Sequence, residues 1–234
     1  VGTIQPIAEI GEIARRHGVP VHTDAVQAAG ALDLNVDRLN VDLLSLSAHK
    51  FYAPKGVGLL YVRGGTPLVP LQHGGSQERH RRAGTENVPY IVGMAAALER
   101  ADARRADYRA HTMALRDLVI AGILEQVPDS ELTGRPTSRL PNNASFCFQG
   151  LESEAVLMGL DMAGIGASSG SACTSASMEP SHVLVAMGIP ADRIHGALRL
   201  TLGTASGQDD IARLLAVLPG ILQRARALAS GAVE

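Results

Sequence analysis

The segment Val41-Asp-Leu-Leu-Ser-Leu-Ser-Ala-His-Lys50 carries the strongest structural signal in this chain. Its mostly continuous apolar run predicts a strand over residues 41–47 that is buried on both faces, as in a parallel sheet. Lys50 and Lys55 are the only lysines among 21 Lys and Arg residues. A lysine amine can lose its proton, whereas the guanidinium of arginine cannot. A lysine at the mouth of a buried strand therefore indicates a site for a cofactor with a carbonyl group.

Helical and strand patterns alternate on both sides of this segment. Residues 4–17 have helical spacing, and residues 19–23 form a β-branched segment that ends at Asp24. Residues 56–62 predict a third strand, and residues 68–86 predict a polar loop that is too long for a simple connector. Such alternation is typical of an α/β fold.

A helical pattern from residue 88 to about residue 127 divides the chain, with a predicted break near Asp107. We place a domain boundary there, which gives one domain of residues 1–106 and a second of residues 107–234. Patterns beyond the boundary predict strands at 144–148 and 197–202 and helices at 152–163, 179–187 and 209–229.

The composition limits the classes of function. With 46% hydrophobic and 19% charged residues, a soluble globular protein with a substantial core is expected. A net charge of −2 and 3% aromatic residues disfavour nucleic acid and anionic membranes as partners, and no apolar run is long enough to cross a bilayer. Cys147 and Cys173 fit neither a disulfide framework nor a metal knuckle, so a reducing compartment is expected.

Side chains suited to chemistry follow two of the predicted strands. Asp24 and Gln27 follow one strand, and Ser47, His49 and Lys50 follow the next. Open α/β sheets bind their ligands at such strand ends. A site for pyridoxal phosphate (PLP) needs a lysine, an acid for the pyridine nitrogen, and donors for the phenolate and phosphate, and all of these residue types are present. The alternative is that the aspartate caps a following helix and that the lysine is a surface residue.

A second segment with residues suited to chemistry is 167–177, Ala-Ser-Ser-Gly-Ser-Ala-Cys-Thr-Ser-Ala-Ser. Small residues without a core-forming pattern predict a loop, in which Cys173 is an accessible thiol. Cys147 lies between two phenylalanines, so we predict that it is a packed strand residue.

Metal binding is the weaker interpretation of the polar residues. His22, Asp24, His49 and His73 are suitable ligand types, but none of them shows the i, i+4 spacing of a zinc-binding helix. No stable metal site is expected.

Five segments of the chain carry a family resemblance, in the order residues 23–27, 47–50, 73–78, 82–85 and 168–175. Together they resemble the cysteine desulfurases of the NifS/IscS type, which are PLP-dependent, class V aminotransferase-like enzymes. The resemblance implies a PLP-dependent transferase of fold type I. Residues 1–106 would be the C-terminal part of the PLP-binding large domain, with a mainly parallel sheet. Residues 107–234 would be a smaller α+β domain that carries the catalytic cysteine loop.

The resemblance assigns the cofactor contacts residue by residue. Lys50 would bind the aldehyde of PLP, Asp24 the pyridine nitrogen, and Gln27 the phenolate oxygen. Ser47 and His49 would hold the phosphate.

The remaining roles concern the substrate and the partners. Thr85 would contact the phosphate of a neighbouring subunit, which implies a homodimer. Arg199 would bind the carboxylate of L-cysteine, a task suited to a bidentate guanidinium. Cys173 would attack the substrate sulfur and become a persulfide, leaving L-alanine. The acceptor would be an Fe–S scaffold or a tRNA-thiolation protein in the cytoplasm, with a transient Fe–S contact through Cys173 as the only metal contact.

The resemblance also implies a region ahead of residue 1, which would supply a Gly-Thr phosphate loop, a His stacked on the PLP ring and an Asn near the phenolate. Two other interpretations stay open from the residues. One is a related PLP enzyme, such as a selenocysteine lyase or a small aminotransferase. The other is an inactive fragment that only binds assembly partners.

Overall fold

The computed structural model describes residues 1–170 and 180–229. A short 3₁₀ helix, Ala48–Phe51, follows the second strand. The helices are α1 (Ile7–Arg16), α2 (Gln77–His80), α3 (Val88–Ala103), α4 (Arg105–Gln126), α5 (Ser153–Met162), α6 (His182–Ala186), α7 (Ala191–Ile194) and α8 (Gln208–Ala229). The strands are β1 (His22–Asp24), β2 (Leu43–Ser47), β3 (Gly58–Val62), β4 (Ser130–Leu132), β5 (Asn143–Phe148) and β6 (Ala197–Thr201).

Backbone contacts divide the chain into two compact units. The first unit is Gln5–Tyr108, and the second unit comprises Val1–Ile4 and the described residues from Arg109 onward. The division falls close to the boundary expected near Asp107, within helix α4. The sequence prediction placed residues 1–106 together, whereas the structure places Val1–Ile4 in the second unit.

The N-terminal segment joins the second unit through backbone hydrogen bonds. The Ile4 N–H donates to the Ser138 carbonyl at 2.9 Å, and the Leu140 N–H donates to the Gly2 carbonyl at 2.8 Å. These bonds satisfy backbone groups that would otherwise need water. They hold residues 1–4 outside the helix that the sequence pattern predicts over residues 4–17, and α1 begins only after Pro6.

The first unit contains a three-stranded sheet in the order β1-β2-β3. Strand β2 confirms that this segment is a strand, but the prediction that both of its faces are buried is wrong, because its residues alternate between buried and half-buried. It pairs in parallel with β1 and antiparallel with β3. The sheet is therefore mixed. On one face, Leu44 and Leu46 are buried with Val41, Phe51 and Met94 in the core of this unit.

The opposite face of this sheet is mostly polar along β1 and β2, with Leu43 as its apolar member. Because side chains alternate between the two faces of a strand, His22 and Asp24 share a face, and both are exposed. Ser45 and Ser47 alternate in the same way with the buried leucines of β2 and are half-buried. This polar face leads directly to the strand ends that carry the candidate site residues.

The second unit contains an antiparallel sheet in the order β4-β5-β6. Every residue of β5 is buried, as expected for a central strand that is covered on both faces. Helices α5 and α8 contact each other and contribute Val156, Leu160, Leu218 and Leu222 to the core. The second half of the chain thus has the predicted α+β character.

Candidate functional site

The parallel pairing of β1 and β2 brings their carboxyl ends to the same edge of the sheet. Asp24 is the last residue of β1, and Ser47 is the last residue of β2. In the register of the two strands, Asp24 lies opposite Ser45. The first unit therefore presents a carboxylate and a hydroxyl at neighbouring strand ends, where open α/β sheets bind ligands.

Asp24 is held at the start of a turn rather than at the start of a helix. Its Oδ1 accepts a hydrogen bond from the Val26 N–H at 2.9 Å, which is the geometry of an Asx turn. Residues 26–32 form turns and a bend instead of a helix. Asp24 therefore does not cap a helix. Gln27 lies in this turn with an exposed side chain.

Ser47, His49 and Lys50 are positioned by the 3₁₀ helix that follows β2. Ala48 and Phe51 are buried and anchor this helix to the core, so that His49 and Lys50 point outward and are exposed. The Ser47 Oγ and the His49 Nδ1 are 2.9 Å apart. The hydroxyl and the imidazole form a hydrogen-bonded pair, and the lysine follows at the next residue.

Thr85 belongs to a different part of the first unit. It is exposed in the loop after α2, where the neighbouring Gly84 N–H donates to the Gln77 Oε1 at 3.1 Å. The α2 segment ahead of this loop has an unusual backbone, because Glu78, Arg79 and His80 all have positive φ, which is not a helical conformation. Positive φ is costly for residues other than glycine. The sequence predicted the loop but gave no sign of this left-handed turn.

Arg199 lies on β6 in the second unit and is half-buried. Its backbone exchanges two hydrogen bonds with Ser168, N–H to carbonyl in each direction. Burial lowers the pKa of the Arg199 guanidinium from its ordinary value, but the group stays charged at neutral pH. The Ser168 contact extends the sheet by one bridge on the side of β6 away from β5, and no pattern in the sequence indicates it.

Of the predictions for the two cysteines, the structure tests the one for Cys147. Cys147 is fully buried on β5, which confirms the packed strand position, and burial raises the pKa of its thiol to about 11. Cys173, the residue predicted as the accessible thiol, lies outside the described residues.

His22 is a residue near the site that the sequence interpretation considered only as a metal ligand. Its Nε2 is 2.7 Å from the Ser45 Oγ on the adjacent strand. The two-residue spacing of His22 and Asp24 predicts that both lie on one face of a strand. The hydrogen-bond partner of His22 depends on the register between the two strands, which a single sequence does not reveal.

Residues 1–170 and 180–229 contain neither a cluster of metal ligands nor a membrane-spanning helix. In those ranges His, Cys, Asp and Glu nowhere gather in a group of three that could hold a metal ion. The helices of the same ranges are all too short or too polar to cross a membrane.

The donor set at the strand ends fits pyridoxal phosphate. A carboxylate suits a pyridinium nitrogen, an amine suits an aldehyde, and amide, hydroxyl and imidazole groups suit phenolate and phosphate oxygens. The residues that offer these groups on β1, β2 and the turns after them are Asp24, Lys50, Gln27, Ser47 and His49.

Comparison with known proteins confirms the resemblance seen in the sequence. The profile of the aminotransferase class-V family matches residues 1–214. A cysteine desulfurase IscS from Methanosarcina thermophila is 52% identical over 226 residues, which cover 97% of this chain and 56% of the relative. The chain thus spans about half the length of the curated relatives it matches.

Solved structures agree with this fold. A NifS-like protein from Rickettsia africae superposes with a TM-score of 0.87 at 27% identity, over 95% of this chain and 59% of that protein. An SspA protein in complex with cysteine has a TM-score of 0.66 at 34% identity, over 87% of this chain and 56% of that protein.

These superpositions show that the chain has part of the fold of the PLP-dependent transferases of fold type I, as predicted. More narrowly, the chain belongs to the aminotransferase class-V family and is a homologue of the NifS/IscS cysteine desulfurases.

Proposed function

We propose that the protein to which this chain belongs is a PLP-dependent cysteine desulfurase, which converts L-cysteine to L-alanine and transfers the sulfur to Cys173. The observation that carries the proposal is the set of Asp24, Ser47, His49 and Lys50 at adjacent strand ends of a class-V fold. Relatives that are named cysteine desulfurase support the choice of reaction. The SspA structure holds cysteine, which supports the choice of substrate.

The cofactor residues of the first unit have distinct tasks. The Asp24 carboxylate would hold the pyridine nitrogen, and its Oδ1 is already oriented by the Val26 N–H at 2.9 Å. Gln27 donates to the phenolate oxygen. The Ser47–His49 pair binds the phosphate, with Thr85 reaching the phosphate of a second subunit in a homodimer. Bound PLP supplies an electron sink for bonds to the substrate α-carbon.

The remaining residues act on the substrate. Arg199 binds the substrate carboxylate through its guanidinium. The Lys50 Nζ holds and moves the protons at the substrate carbons. The Cys173 thiolate attacks the substrate sulfur; the new S–S bond forms as the C–S bond breaks, and its electron pair stays on the carbon, which is protonated to give alanine.

The fate of the sulfur follows from this chemistry. A persulfide on Cys173 is consumed by an acceptor, either an Fe–S scaffold or a tRNA-thiolation protein. We place the reaction in the cytoplasm, where the thiol is kept reduced.

The test compares Lys50→Ala with Lys55→Ala, because these are the two lysines of the chain. In the protein at its complete natural length with PLP, wild type and Lys55→Ala should release alanine from L-cysteine in the presence of a thiol reductant. Lys50→Ala should lose the visible absorption of lysine-bound PLP and about a thousandfold of the rate.

A second comparison uses the two cysteines. Cys173→Ser should bind L-cysteine but form no persulfide, whereas Cys147→Ala should retain persulfide formation. Wild-type protein that binds PLP yet releases no alanine from L-cysteine would overturn the proposal. Release of alanine from selenocysteine alone would identify a selenocysteine lyase instead.

A further inference from the structure

Ser45, in the middle of β2, holds the β1 chain on both sides of Asp24. Its Oγ is 2.7 Å from the Nε2 of His22, two residues before the aspartate. Its carbonyl accepts a hydrogen bond from the Ala25 N–H, directly after the aspartate, at 3.0 Å. In the parallel register, Ser45 lies opposite Asp24 itself. One residue thus fixes both flanks of the proposed pyridine-binding carboxylate.

The side chains involved line the polar face of the sheet. His22 and Asp24 are exposed on that face of β1, whereas Thr23 between them is buried on the other. Ser45 is half-buried on the polar face of β2, and its neighbour Leu44 is buried on the opposite face. The His22–Ser45 pair therefore lies beside Asp24 on the face where a ring bound to that carboxylate would lie.

The His22–Ser45 bond is an addition to a sheet that is already hydrogen-bonded. The β1–β2 ladder is complete in its backbone register from His22 to Asp24. A single exposed hydrogen bond between side chains contributes little to global stability. Its main effect is to fix how the end of β1 is placed, since within residues 1–170 and 180–229 the Asp24 carboxylate is held from beyond the strand, by the Val26 N–H.

We propose that Ser45, acting with His22, is a positioning residue for Asp24 and thereby sets the affinity and orientation of the cofactor ring. This inference rests on the proposed function, because it takes Asp24 to be the partner of the pyridine nitrogen. Ser45 acts through its Oγ on His22 and through its carbonyl on Ala25, and neither contact requires it to touch the cofactor.

The test measures the Kd for PLP and the visible circular dichroism of bound PLP, in the protein at its complete natural length. Ser45→Ala and His22→Ala should each weaken PLP binding about three- to tenfold, the loss of one hydrogen bond, and change the dichroism. The double variant should be no weaker than either single variant, because both changes remove the same interaction. Ser45→Thr, which keeps a hydroxyl in a strand-compatible residue, should restore both readings.

Matched controls separate positioning from general loss of structure. His17→Ala changes an exposed histidine at the end of α1, and Ser138→Ala changes an exposed serine whose carbonyl, not its side chain, bonds Ile4. Both should leave the Kd for PLP and the dichroism unchanged.

The outcomes distinguish this inference from the proposed function. Additive effects of Ser45→Ala and His22→Ala, or no effect of either, would overturn the positioning role even in an active desulfurase. Wild type that binds PLP but does not desulfurate cysteine would overturn the function, while the comparison of variants still decides the role of Ser45. Wild type that binds no PLP would overturn both.

Discussion

Arg199 connects burial with the proposed recognition of substrate. It is half-buried on β6, and desolvation lowers its pKa. A partly desolvated guanidinium binds a carboxylate more strongly than an exposed one does, because less water competes for its donors. The rigid fork of arginine can make two parallel hydrogen bonds that a lysine cannot reproduce.

We therefore predict that Arg199→Lys raises the KM for L-cysteine about ten- to a hundredfold, the cost of a charged hydrogen bond. The Kd for PLP should not change. Steady-state kinetics and a PLP titration check both statements. Arg135→Lys, at an exposed position of the same unit, is the control; equal behaviour of the two variants would contradict the role of Arg199.

Cys147 supports a prediction about pH. Burial raises the pKa of its thiol from 9.0 to about 11 in the folded protein. Between these values the unfolded chain has lost the proton while the native state retains it. Stability is therefore fully present below pH 9 and is lost as the pH rises towards 11, by up to about 1.4 kcal/mol per pH unit.

In Cys147→Ala this contribution is absent. The variant should be less stable than wild type at pH 8, since it loses a buried sulfur, but its free energy of unfolding should fall less steeply between pH 9 and 11. Urea unfolding at a series of pH values measures both slopes. Parallel slopes would show that the thiol does not ionise on unfolding.

The candidate site was predictable where it depended on strand ends. Asp24, Ser47 and Lys50 follow apolar runs, and the sequence alone places them at the edge of a sheet. The pairing of Ser45 with His22 was not predictable, because it depends on the register between two strands.

Secondary elements differ in how strongly the sequence specifies them. Strand β5 and helix α8 have long, continuous patterns and were predicted closely. Strand β4, Ser130–Leu132, and helix α7, Ala191–Ile194, were missed because segments this short carry too few residues to show a period. Strand β1 begins later than predicted, since Pro20 has no N–H and the Val21 N–H bonds the Asp42 carboxylate at 2.8 Å.

Helices α5 and α8 make close contact at Gly159. A Cβ atom added there would lie 2.7 Å from the Cγ2 of Ile221, a residue that is itself buried. Replacement of a helical glycine by alanine normally stabilises a helix by up to about 1 kcal/mol. At Gly159 the overlap should reverse the sign, because neither the backbone nor the packed isoleucine can move freely.

We predict that Gly159→Ala destabilises the protein by about 1–3 kcal/mol, the usual cost of overpacking a core. Gly220→Ala, on α8 itself, is the matched control. Its nearest added contact is the end of the flexible Arg224 side chain at 3.5 Å, so it should be neutral or stabilising. Thermal or urea unfolding of the two variants checks the contrast, and destabilisation of equal size in both would refute the packing argument.

The whole chain is organised around separate hydrophobic cores. In the described residues, the core of the first unit contains Val41, Leu44 and Phe51, and the main core of the second contains Phe146 and Leu160. The cores share no residue, and each unit has its own sheet. The first unit carries the proposed cofactor residues and the second carries Arg199, so the proposed cofactor residues and the proposed substrate residue are supported by different cores.

Two leucine substitutions test this independence. Leu44→Ala and Leu160→Ala each remove a side chain that is almost fully buried, and a change of this kind costs about 2–5 kcal/mol. Because the cores are separate, Leu44→Ala should speed native-state hydrogen exchange of β2 amides while leaving β5 amides near their wild-type rates. Leu160→Ala should do the reverse. If either variant accelerated exchange equally in β2 and β5, the units would unfold together and the division of the chain into two separately stabilised parts would be wrong.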